Sequence, residues 1–166
     1  MPVTELALLR LKAKDPSSST KIEDPDSFYL LGGWESVEKH TGEGQWLSSE
    51  VNQNLLARYL ASKIPLDAPV LAITRFSVEA SKKDEFDSAF KATVPHLNKY
   101  TAPFSSCGAW RIDKEGADEE FVLFSGWNTV QDHVAFGQSE AAREFGKIKA
   151  LMKGVDDKYV HVEKWE

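Results

Sequence analysis

Apolar residues recur along this chain with two different periods, and the two alternate. Between Val3 and Lys12, Leu6, Leu8 and Leu9 precede a Leu11 set between Arg10 and Lys12, which predicts a strand. Asp15–Thr20 and Glu23–Asp26 carry turn chemistry. Ser27–Trp34 is a second apolar strand, closed by Gly32 and Gly33, and Ser36 caps a short helix through His40. From Ser48 or Ser49 to about Lys63 the period changes: Val51, Leu55, Leu56, Tyr59 and Leu60 keep 3–4 spacing and predict a helix, closed by Pro65, Asp67 and Pro69.

The second half is patterned more sharply. Val70–Val78 alternates Leu71, Ile73, Arg75 and Ser77 against Ala72, Thr74, Phe76 and Val78, a strand apolar on both faces at its start. A helix capped by Ser81 runs to about Tyr100 on a Phe86, Phe90, Val94, Leu97 stripe, with a kink or early end expected at Pro95. Strands follow at Ser106–Ile112 and Glu120–Trp127, joined by a turn at Lys114–Glu119. Asn128 or Thr129 caps a short helix, and Ala142, Phe145, Ile148 and Leu151 mark a longer one over Ser139–Met152. Asp157–Glu166 closes the chain as a strand in which Tyr159, His161, Glu163 and Trp165 alternate with Val160, Val162 and Lys164. The order β-α-β-β-α-β is the ferredoxin-like split βαβ pattern.

Two stretches repeat one another. Phe28–His40, followed by Gly44-Gln45, and Phe121–His133, followed by Gly137-Gln138, carry Gly, Trp, Val, His, Gly and Gln in the same order. The offset of 93 residues is too long for a solenoid, whose repeats run to about 20–50 residues, and indicates duplication of a small fold. The expected organisation is α+β: a partial ferredoxin-like repeat over 1–67 and a complete βαββαβ unit over 68–166. Too few residues separate Lys12 from Ser27 for the first helix and second strand of the early copy, and no fourth strand is evident between Ile64 and Val70. That copy therefore reads as truncated.

Composition narrows the partners. A net charge of −6 argues against a nucleic-acid surface. No apolar run approaches the ~20 residues that span a bilayer, and no signal peptide is evident, so a cytoplasmic protein is expected. The single Cys107 excludes an internal disulfide framework and reads as a small apolar filler. No zinc-ligand spacing, phosphate loop or nucleophile elbow is present, and neither a metal nor a cofactor is expected.

The Gly-Trp, Val and His of each half-repeat, with the Ser-Glu-capped helix after them, resemble the dimeric α+β barrel superfamily, more narrowly proteins with an antibiotic-biosynthesis-monooxygenase-type domain. The Val3–Leu11 opening and Glu23-Asp24-Pro25 ahead of Tyr29–Trp34 resemble fungal tandem-repeat members. The resemblance implies two ferredoxin-like sheets face to face around a cavity, within one chain or across a homodimer. The truncated copy leaves an edge for a second chain to cover. It also implies cofactor-independent monooxygenase-like turnover of an aromatic or polyketide-type small molecule. The alternative is a non-catalytic ligand-binding or stress-related barrel protein, and a non-haem isomerase or decarboxylase stays open beside both.

Candidate site residues divide into three sets. Trp34 and Trp127 end their strands as cavity walls for a flat ligand, or as core packing, which fits their recurrence in both copies. His40 and His133 sit at equivalent helix positions, as acid/base groups on a phenol or as structural histidines bonded to a turn. The resemblance speaks against haem degradation: the long-helix starts at Ser49 and Ser139 put Leu56 and Gly146, not His, at the position such relatives use. Neither first strand carries an Asn. Arg75, with His161 and Tyr159 on the last strand, forms the third set, an anion holder beside a proton acceptor, with Trp110 and His96 as further lining. An exposed charged edge is the reading weighed against it.

Overall fold

The computed structural model describes residues 3–10, 27–34, 36, 51–57, 63–113 and 116–162. These form two antiparallel sheets. In the first, β1 (Val3–Arg10) lies between β2 (Ser27–Trp34) and β3 (Val51–Ala57). In the second, β4 (Val70–Val78) lies between β6 (Glu119–Trp127) and β7 (Met152–His161), and β5 (Ser106–Trp110) pairs with the far side of β6. Helix α1 (Lys83–Thr101) links β4 to β5. Helices α2 (Val130–Phe136) and α3 (Glu140–Phe145), then a 3₁₀ segment at Gly146–Leu151, link β6 to β7. The element order and the strand order β5-β6-β4-β7 are those of a ferredoxin-like α+β unit.

Alternation along β4 sets both layers of the core, because successive side chains leave opposite faces of a strand. Val70, Ala72, Phe76 and Val78 pack with Phe121, Leu123 and Trp127 of β6 and are covered by Phe86 and Leu97 of α1, Phe136 of α2 and Ile148. Leu71 and Ile73 point the other way, with Val122, Phe124, Ala109 and Val160. Against that second face pack Leu66, Cys107, Val162 and, from the first sheet, Leu31 of β2. Burying each such side chain contributes about 1.5–3 kcal/mol, so both faces of this sheet stabilise the fold.

Registers in the two sheets correspond. Val3 lies opposite Trp34 in the first and Val70 opposite Trp127 in the second, so each Gly-Trp pair meets the start of its central strand. In both sheets the central strand is antiparallel to both neighbours.

Several expectations need correction. The helix expected from Ser48 or Ser49 to Lys63 is replaced over Val51–Ala57 by β3, which pairs with β1 through a register shift at Leu8/Leu9; residues 48–50 and 58–62 of that segment lie outside the described residues. The 3–4 spacing there is carried by a segment with Asn52 and Asn54, poor helix formers, and β1 with one neighbour would leave a row of backbone groups unpaired. The first sheet thus has a strand in the place that β7 takes in the second. Pro95 does not end α1, which continues to Thr101. The carbonyl it deprives of a partner is that of Lys91, and both residues are exposed, so water can take the missing bond. Ser81 sits in a 3₁₀ turn ahead of α1 and does not cap it. The long helix from Ser139 changes to 3₁₀ at Gly146, and the last strand begins at Met152, opposite Val78, because the length of β4 draws residues 152–156 into pairing. The loops around Asp15 and Glu23, the short helix to His40 and the final Glu163–Glu166 lie outside the described residues.

Gly126 shows why a glycine precedes Trp127. A Cβ there would lie 2.7 Å from Ala68 Cβ, 2.8 Å from Phe104 Cβ and 3.1 Å from Pro65 Cβ. These are short-stemmed groups that cannot swing aside. Gly126→Ala is expected to destabilise the protein by about 1–3 kcal/mol, measured as a lowered urea midpoint with an unchanged slope.

Candidate functional site

The site grows from the corner where β6 turns into α2. Thr129 caps the helix: its Oγ1 accepts from the Asp132 N–H at 3.1 Å, and the Asp132 carboxylate accepts from the Thr129 N–H at 3.0 Å. This reciprocal box fixes the first turn and with it His133. The imidazole packs on the Trp127 indole, ring centroids 4.7 Å apart. Its Nδ1 shares a 2.6 Å hydrogen bond with the Tyr159 hydroxyl on β7. Trp127 is itself core, 2% exposed, and donates from Nε1 to Ser125 Oγ at 2.9 Å. It acts as the floor on which His133 rests.

A cavity of about 290 Å³ opens beside this pair, between the β4-β6-β7 surface and the segment from α2 to the 3₁₀ turn. Its depth is formed by the buried Thr74, Phe76, Leu97, Leu123, Ser125 and Ile148. Polar groups converge on one wall. Thr74 Oγ1 donates to Asp157 Oδ1 at 2.6 Å, directly across the β4–β7 ladder, and Tyr159 stands two residues along the same face. Mostly apolar walls with a few placed polar groups are the usual make-up of a small-molecule pocket. Burial pushes the His133 pKa below 6.5, and the charge of Asp157 offsets this in part. His133 is therefore held neutral at physiological pH, the state in which an imidazole accepts a proton.

The strand registers separate the third candidate set. Ala72 faces Tyr159 and Val70 faces His161, whereas Arg75 faces Asp156. An odd step along β4 reverses the face, so Arg75 leaves the sheet on the side away from His161 and Tyr159. There its Nε and Nη2 donate to the two oxygens of Glu120, at 3.1 and 2.6 Å, with Arg111 Nη1 3.8 Å from the same carboxylate. The anion beside Arg75 is thus the protein's own. His161 is exposed and lies beside the Pro69 carbonyl, 3.4 Å from Nδ1, away from the cavity lining.

Trp110 packs edge-on against Phe86 and Phe121, donates from Nε1 to Asp87 at 2.9 Å and carries Lys83 Nζ 4.8 Å above its ring. It is absent from the cavity lining. His96 lies in a separate shallow groove between α1 and α3, with Lys99, Tyr100 and Glu144. Of Trp34 the backbone alone is described, and His40 lies outside the described residues. Burial pushes the Cys107 thiol up to about 12, which makes it inert as a nucleophile. Among the described residues no group of three or more His, Cys, Asp or Glu is placed to hold a metal ion, and no helix is long and apolar enough to cross a membrane.

Of the expected residues, the fold therefore brings His133 and Tyr159 together over Trp127, and adds Asp157, Thr74 and Ser125. Their signal in the sequence was parity: 125 and 127 on β6, and 157 and 159 on β7, share a face once the register to β4 is known.

No family model matches this chain, and no curated protein matches it. Solved structures do. An anthrone oxidase-like protein superposes with a TM-score of 0.66 at 16% identity, covering 98% of this chain and 92% of that one. An uncharacterised ferredoxin-fold protein from Listeria monocytogenes, related to antibiotic biosynthesis monooxygenases, gives 0.54 at 9% identity, with 99% and 97% covered. A major regulator of staphylococcal pathogenesis gives 0.54 at 9%, with 96% and 99% covered.

The His133 pKa carries a pH signature. Because the folded value lies below the ordinary 6.5, the neutral form is favoured by folding, and its contribution is complete above pH 6.5. As pH falls from there the unfolded chain takes up the proton first, and stability declines until the folded imidazole titrates. In urea unfolding between about pH 7 and pH 5.5, wild type is expected to lose more stability than His133→Gln, by at most ~1.4 kcal/mol per pH unit. Parallel pH profiles would contradict the assignment.

The likeness to these solved structures is one of fold: the chain is an α+β protein of the ferredoxin-like type shared by monooxygenase-related proteins.

Proposed function

We propose that the chain is a cofactor-independent monooxygenase-like enzyme that turns over an aromatic or polyketide-type molecule in the cavity beside His133 and Tyr159. The observation that carries this reading is an imidazole, bonded to a phenol, on the wall of an otherwise mostly apolar cavity of about 290 Å³. Such a cavity takes a flat apolar body, and a base at its wall takes the proton of an acidic C–H or phenolic O–H. The resulting carbanion or phenolate passes an electron to oxygen. A ring methylene and O₂ then become a carbonyl and water, with no external reductant. His133 is the base and Tyr159 its partner; Trp127 and Ser125 position the imidazole, and Asp157 stabilises it once charged. Arg75, His161 and Trp110 fall outside this machinery. The anthrone oxidase-like neighbour supports the same chemistry by analogy of fold.

Two further elements belong to the proposal. The β1–β3 sheet is a shortened copy of the second sheet, with no counterpart of its first helix and second strand among the described residues, and Leu31 packed on the Leu71–Ile73 face supports a barrel closed within the chain. β2 has one hydrogen-bonded neighbour among the described residues, which supports a homodimer that covers that edge. A cytoplasmic location and the fungal tandem-repeat type complete the proposal.

A second reading has its own support. Nδ1 of His133 and the Tyr159 hydroxyl already satisfy each other, and the staphylococcal regulator has a comparable fold without a monooxygenase description. In that reading the cavity binds a small ligand and no reaction follows.

Oxygen consumption over a panel of phenols and hydroxyanthrones separates the two. Turnover is expected with at least one member, and His133→Gln and Tyr159→Phe are each expected to lower kcat/KM by about 10²-fold or more. Binding without oxygen uptake across the panel would leave the ligand-binding reading.

A further inference from the structure

The cavity has a built mouth as well as a depth. Four of its lining residues are exposed: Val134 and Gly137 around α2, Lys149 in the 3₁₀ segment, and Val155 on β7. Val134 and Val155 are the two most exposed large hydrophobic residues described, at 60% and 50%, and both sit on this rim. Apolar side chains left in water at a cavity entrance are a surface for the part of a ligand that protrudes.

Lys149 is the one lysine or arginine in the lining. Its neighbours along the chain are neutralised: Lys147 by Glu144, Lys153 by Asp118 at 2.8 Å and Lys158 by Asp156 at 2.6 Å. Lys149 has no ion pair among the described residues. Its stem runs beside Gly146, another lining residue, where an added Cβ would lie 3.8 Å from Lys149 Cε and 3.9 Å from Cδ. The other charge in the lining, Asp157, already accepts the Thr74 hydroxyl. On a chain of net charge −6 this unpaired cation is a local exception to a field that repels anions.

We infer that Lys149 at the mouth selects an acidic ligand: an aromatic molecule whose apolar body enters the cavity and whose carboxylate, or equivalent anion, stays at the rim against the ammonium. This rests on the cavity being the ligand site and adds the substrate class and a specificity residue. Lys149 touches neither His133 nor Tyr159 through any hydrogen bond described, so selection and chemistry are separable.

The test is equilibrium binding of 2-naphthoate and uncharged 2-naphthamide, followed by fluorescence, on wild type, Lys149→Met and Lys149→Arg. Wild type is expected to prefer naphthoate by about two- to fivefold, the range of a partly exposed ion pair. Lys149→Met is expected to remove the preference by weakening naphthoate alone, and Lys149→Arg to keep it. Equal binding of both probes to wild type, or equal weakening of both by Lys149→Met, would overturn the inference. So would failure of both probes to bind, which would also remove the cavity as the ligand site. A charge preference with no oxygen uptake on any substrate leaves the anion rim standing and removes the oxidation; uptake with no charge preference does the reverse.

Discussion

The second sheet and its site depend on one constraint, the two-residue alternation of β4 between two fully paired neighbours. Because β6 and β7 both follow β4 along its length, the face of each of their residues is settled by the residue opposite. The face under the helices is a row of Val70, Ala72, Thr74, Phe76 and Val78, and Thr74 is the one polar member. A hydroxyl in an apolar row needs a partner, and the residue opposite, Asp157, supplies it. That pair breaks the apolar contact between sheet and helices, and the cavity lies there.

The repeated residues at the β6–α2 corner have separate physical duties. Gly126 leaves room for the Ala68 and Phe104 Cβ atoms, Trp127 fills the core, Val130 opens the helix, and His133 comes back over the indole one turn later. Gly137 ends the helix, its N–H meeting the carbonyls of His133 and Val134. A motif of this kind is maintained by the corner whether or not any reaction occurs. That is why the repeat speaks for fold much more strongly than for chemistry; Tyr159 and Asp157, which bond and face His133, lie outside the motif.

The β4-to-β7 unit was legible because its signals are local and agree with one another: strand alternation in Val70–Val78, the Phe86–Leu97 stripe, and caps at Thr129 and Ser139. β3 was not, since its strand state comes from pairing with β1, a tertiary term that overrides a helical spacing of leucines. The grouping of Arg75 with Tyr159 failed for the same reason. The bounds of β4 are legible in the sequence, but the last strand starts at Met152 and not at Asp157, and the face of one strand relative to the other requires a register; residues 152–157 carry Gly154 and two aspartates with little strand signal. His133 and Tyr159 were named as candidates, while their meeting, and the Asp157 that joins them, required the β4–β7 ladder.

The chemistry open to the site follows from how the hydrogen bond between His133 and Tyr159 is polarised. If the phenol donates to Nδ1, the ring proton sits on Nε2 and the imidazole offers a donor; if Nδ1 donates, Nε2 is left with a lone pair and the phenol hydrogen is free for another acceptor. The two forms are the neutral tautomers of the ring: they differ in which nitrogen carries the proton and in where the phenol hydrogen points, while the heavy atoms keep the same 2.6 Å contact. Burial disfavours a permanent imidazolium, yet Asp157, kept as an acceptor by Thr74, stabilises one that forms transiently. A group that is neutral at rest and tolerated when charged is what a general base requires.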